Sequence, residues 1–89
     1  MIYSTSTMAK LFNERIIVHL NEHRKLDAFV WRRRVYKVEE VLSWWREPSA
    51  WWDGEPIRLF ARIIARNSHE GIYEIYRAGN DWFLDRLLD

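Results

Sequence analysis

Eighty-nine residues hold one domain and exclude a second, and a chain this short needs a dense core to bury enough surface. Six Trp, four Tyr and four Phe supply that density, each ring burying roughly 150–250 Å², within a composition 48% apolar and 30% charged that belongs to folded domains. The absence of cysteine excludes a disulfide framework, a thiolate metal site and a cysteine nucleophile, and the net charge of +1 favours no class of partner by itself.

The start, Met1 to Lys10, is polar and lacks the basic n-region and apolar h-region of a signal peptide. No apolar run approaches the ~20 residues that span a bilayer as a helix. The expectation is therefore a cytoplasmic protein without membrane association. Residues 1–9 read as a flexible N-terminus, with Met1 and Met8 both open as the start, and residues 10–89 as a single β domain.

Period two dominates from Arg15 onward. Arg15–Leu20 is rich in β-branched residues and places Ile16, Val18 and Leu20 on one side. Asn21–Lys25 is a polar break, and Leu26–Trp31 resumes the strand. Arg32-Arg33 reads as the tip of a tight connection into Val35–Val41, where Tyr36 and Val38 share a face with Glu40, and Val35, Lys37, Glu39 and Val41 take the other. Val41–Arg46 fits either a continued strand or about two turns of helix, ended by Pro48. The stretch 47–56 reads as the main loop, although it carries Trp51 and Trp52.

Ile57–Arg66 is the clearest strand, with Ile57, Leu59, Ala61, Ile63 and Ala65 on one face and Phe60, Arg62, Ile64 and Arg66 on the other. Asn67–Gly71 is a turn. Ile72–Arg77 and Trp82–Leu88 form a hairpin across Ala78-Gly79-Asn80-Asp81, whose Gly and Asn suit positive φ. The fold expected is mainly β: a single small antiparallel sheet, or an SH3-like, partly open barrel of five or six strands, with one short helix near 39–46 as the open alternative.

Charge is sorted into blocks. Residues 22–37 carry six basic and two acidic residues, a local +4, whereas 38–56 carry one basic and five acidic, a local −4. The stretch 57–67 returns to +3 and 68–89 falls to −3.

Catalytic and cofactor signatures are missing. Three glycines form no phosphate-cradling motif, and Ser43, Ser49 and Ser68 stand in no nucleophile elbow. His19 and His23 flank H-L-N-E-H, which is not the zinc motif H-E-x-x-H. They also fall on a strand and a turn, where positions four apart do not converge. Glu39 and Glu40 are adjacent and point apart on a strand, so they cannot work as an acid–base pair. No catalytic, cofactor-binding or metal-binding residues are assigned, and an enzyme is not expected.

Two sets of residues stand out. Trp31, Arg32, Arg33, Arg34 and Tyr36, with Arg62 and Arg66, form a candidate nucleic-acid contact, because guanidinium groups neutralise phosphates and aromatic faces stack bases. A solvated hairpin tip whose arginine stems shield Trp31 explains the same residues. Trp44, Trp45, Trp51 and Trp52 form a candidate protein interface, since Trp is a common hot-spot residue. The alternative is that they cover the end of a small sheet. An unpaired edge at Arg15–Leu20 would offer a route to a homo-oligomer.

Phe29-x-Trp31-x-x-Arg34-x-Tyr36-x-Val38-x-Glu40-Val41-Leu42, followed by Trp45, Trp51-Trp52, Glu55-Pro56 and Arg58, resembles a small bacterial domain family of unknown function. Gly71-Ile72-Tyr73-Glu74-Ile75-Tyr76-Arg77 and Trp82-x-Leu84-x-Arg86-x-x-Asp89 are similar to that family's ending. The likeness covers about residues 27–89 and departs at Arg33, where the family usually turns its hairpin with glycine. Members occur alone, or near or fused to error-prone Y-family polymerase and SOS mutagenesis components. The resemblance therefore implies an accessory module in DNA damage tolerance, with a translesion polymerase component as partner. It carries over no functional residue. The leading expectation is a protein-docking module; weak sequence-nonspecific nucleic-acid binding through Arg32–Arg34 and nearby aromatics is the alternative.

Overall fold

The computed structural model describes residues 10–48 and 54–88. The expectations of a flexible stretch at 1–9 and of an interface at Trp51 and Trp52 lie outside the described residues. Six strands run antiparallel in chain order: β1 (Lys10–Leu20), β2 (Leu26–Trp31), β3 (Arg34–Glu47), β4 (Arg58–Arg66), β5 (Glu70–Ala78) and β6 (Asp81–Leu88). The meander closes into a barrel because β6 pairs back onto β1.

Short turns permit this order. Trp31 pairs with Arg34 across Arg32 and Arg33, both at positive φ (51° and 67°), the pattern of a type I′ hairpin. Ala78 pairs with Asp81 across Gly79 and Asn80, and only Gly79 has positive φ (65°), the type II′ pattern. Between β1 and β2 the Asn21 side chain accepts from the backbone N–H groups of His23 and Lys25 (2.8 and 3.1 Å). This is the local bonding that makes Asn a turn residue.

The open alternative at 39–46 resolves as strand. β3 continues to Glu47, and Ser43–Glu47 pair residue for residue with Arg62–Arg58. Two bulges, at Glu39 and Leu42, interrupt the register before that point. They correct the face assignment drawn from alternation: Glu40 pairs with Ile64 on the outer face, while Val41 pairs with the buried Ile63. One extra residue inverts every side chain that follows it.

β1 is shared between two neighbours along its length. Its first part, Lys10–Ile16, pairs with β6 and Ile17–Leu20 pair with β2, so Ile17–Leu20 have β2 on one side and no strand on the other among the described residues. A longer open edge belongs to β3. Its pairing with β2 spans only Arg34–Lys37, so from Glu39 to Glu47 it has β4 on one side and no strand on the other among the described residues.

The interior is built from Ile16, Leu26, Phe29, Trp31, Tyr36, Ala61, Ile63, Ala65, Tyr73, Ile75 and Leu84, all buried. Phe29 is fully buried and stacks on Tyr36 at 4.9 Å, with the Tyr73 ring meeting it edge-on at 5.6 Å. Ala61 and Ala65 leave room for these rings, since small residues opposite large ones let a narrow barrel fill.

Candidate functional site

The basic tip is already occupied in part. The Arg32 guanidinium donates to both carboxylate oxygens of Glu14 (3.1 and 2.7 Å) and lies 4.6 Å from the centre of the Trp31 ring. The Trp31 indole N–H donates to the same carboxylate (2.9 Å). Hydrogen bonds from Arg32 and Trp31 hold the Glu14 carboxyl below the usual range, because both favour its charged form. Trp31 and Tyr36 are each only 9% exposed, so their faces pack the core and are closed to a stacking base. Arg33 and Arg34 are exposed, and neither forms an ion pair among the described residues.

Arg62 and Arg66 do not join the tip as free cations. Arg62 donates to Glu74 (2.7 and 2.8 Å), whose buried carboxylate is 5% exposed and also faces Arg86 at 3.4 Å. Arg66 lies between Glu39 (3.3 Å) and Glu70 (3.5 Å). Arg32, Arg62 and Arg66 are thus paired across strands, whereas Arg33 and Arg34 form no ion pair among the described residues.

The tryptophan pair sits on the open edge of β3. Trp44 is 48% exposed. Trp45, its neighbour, is half-buried on the outer face and stacks on Phe60 at 5.4 Å. Its indole N–H donates to Glu47 (2.9 Å).

Sequence reasoning missed what Trp45 belongs to. Trp45, Phe60, Tyr76 and Phe83 are successive cross-strand partners. Their rings form a ladder across β3–β6, with steps of 5.4, 5.0 and 5.0 Å. Arg62 lies over Trp45 (5.6 Å) and Arg58 over Tyr76 (5.3 Å). The Tyr76 hydroxyl donates to Asn13 in the bulge of β1. Phe60 and Tyr76 are consequently 3% and 4% exposed although they point away from the barrel interior. The available signal was an aromatic at the outward parity of four neighbouring strands.

A small, closed, six-stranded antiparallel barrel with a partly paired basic hairpin and a tryptophan edge left open among the described residues defines the class. The chain belongs to a family described as a domain of unknown function, DUF6504, matched over residues 8–88. No curated protein matches it, and no solved structure does.

Proposed function

We propose that this domain is a non-catalytic interaction module that takes an extended segment of a partner protein onto the open edge of β3. The observation that carries this reading is the run Ser43–Glu47: regular strand, unpaired on one side among the described residues, with Trp44 exposed and Trp45 ending an aromatic ladder at the edge. An added strand would satisfy the edge's backbone groups, and its side chains would meet a tryptophan on each face. A ring placed opposite Trp45 would extend the ladder by one step. Glu40 and Glu47, which form no ion pair among the described residues, favour a basic segment and disfavour self-pairing of two such edges.

The nucleic-acid reading is weakened by the burial of Trp31 and Tyr36 and by the pairing of Arg32, Arg62 and Arg66. The resemblance at residues 27–89 makes a translesion polymerase component the first partner to seek.

A photo-reactive residue at Arg46 in the living host tests the reading. The expected result is one dominant protein adduct, lost when Trp44 is changed to Glu. Labelling no stronger than that from a probe at Gly79 would refute the module. A strong adduct with an unrelated protein would keep the module and remove the damage-tolerance setting.

A further inference from the structure

The β2–β3 hairpin turns through two arginines at positive φ, a region that non-glycine residues seldom occupy and that type I′ turns normally fill with Asn-Gly. Arg32 recovers that cost through Glu14, Trp31 and Phe12. Arg33 has no ion pair or ring contact among the described residues, yet holds φ at 67°. Unrecovered strain of this kind is more common at binding sites than in ordinary turns.

Beside Arg33 lies an apolar row. Ile17, Val30 and Val35 are cross-strand partners on the outer face of β1, β2 and β3. Ile17 is 62% and Val35 59% exposed. A shallow cleft of about 550 Å³ runs between Ile17, Val30, Arg15, Arg32 and Arg33. Its donors exceed its acceptors. Arg15 commits one nitrogen to Asp81 (2.7 Å) and leaves the others available, and Arg33 commits none among the described residues.

We infer that this face is a second docking surface, for an acidic segment of a partner protein whose alternate residues are apolar. The carboxylates would meet Arg33 and the unused donors of Arg15, in charge-assisted and often bidentate bonds. The intervening aliphatic side chains would cover Ile17, Val30 and Val35. An apolar floor with no exposed ring fits a peptide better than a nucleic-acid strand, which needs faces to stack on. The surface uses residues distinct from the Ser43–Glu47 stretch of β3, so the two readings stand or fall separately.

The test is a titration of the ¹⁵N-labelled protein with a capped nine-residue peptide of alternating Asp and Leu, followed by amide chemical shifts. The expected shifts cluster at Ile17, Val30, Arg33 and Val35. Affinity should fall about tenfold in Arg33→Gly and in Val35→Asp, and binding should vanish when Lys replaces Asp in the peptide. Shifts centred elsewhere, no binding at millimolar peptide, or unchanged affinity in Arg33→Gly would overturn the assignment. If an oligothymidylate shifts the same amides and displaces the peptide, the surface belongs to nucleic acid and the peptide proposal falls.

Discussion

Replacing Arg33 with glycine should make the protein more stable, which is unusual for the removal of a charged side chain from a hairpin. At φ of 67° an L side chain crowds its own carbonyl, at a cost of about 1–2 kcal/mol. Glycine escapes that cost but surrenders more unfolded-state entropy, roughly 0.5–1 kcal/mol, so the net gain lies between about 0 and 1.5 kcal/mol. No contact offsets it, because Arg33 makes no ion pair or ring contact among the described residues. In a domain of this size each kcal/mol raises Tm by about 4–8 °C, which thermal unfolding followed by far-UV circular dichroism resolves easily. Arg32→Gly is the paired control: it relieves φ of 51° equally but forfeits Glu14 and the Trp31 face, so it should fall below Arg33→Gly. A Tm lowered by Arg33→Gly, or raised equally by both changes, would refute the view that Arg33 alone is strained without internal recompense.

Phe29→Ala should cost about 3–5 kcal/mol out of a total of roughly 4–13 kcal/mol for a chain of this length. Urea denaturation would then show a midpoint shifted far down or a largely unfolded protein. Arg62→Met should cost about 1–3 kcal/mol, since it leaves the buried Glu74 carboxylate with Arg86 as its remaining guanidinium partner. A loss under 0.5 kcal/mol, on the order of an ordinary surface change, would contradict that. Glu14 should tie stability to acid pH. Its folded pKa is lowered, so its contribution is fully present above the unfolded value and is lost as pH falls through the lower folded one. The Trp31 indole N–H resonance should titrate with a midpoint below 4.5, and Glu14→Gln should abolish the titration.

Alternation was a sound guide wherever strands pair without shift. Leu26–Trp31 and the two faces of β4 read correctly because β4 is matched one to one by β5 from Arg58 to Arg66. Faces failed after Val38, since a bulge leaves no composition signal in Glu39-Glu40 or Val41-Leu42. The start of β1 was illegible for a related reason: Leu11–Glu14 contains a bulge at which Asn13 takes a positive φ of 53°. The arginines were visible and their neutralisation was not. Arg32 meets Glu14, and Arg66 meets Glu39 and Glu70, contacts that exist only once strands distant in sequence lie side by side. The prominence of Trp44 and Trp45 was legible. That they stand on an exposed edge could not be read, because it depends on β2 being shorter than the strand it pairs with.

Closure of the barrel has a consequence for how the chain could be rewired. The last strand lies against the first, with Lys10 opposite Leu87 and Leu11 opposite Arg86, so the two ends of the described fold are neighbours at one rim, while the Gly79–Asn80 turn sits at the opposite rim. A circular permutant cut between Gly79 and Asn80, with a short linker joining the old ends, would keep every strand pair. It would turn the most sequence-distant contact, β1 with β6, into a local hairpin. Because folding rate follows the mean sequence separation of contacts, such a permutant would assemble in a different order around the same finished ring.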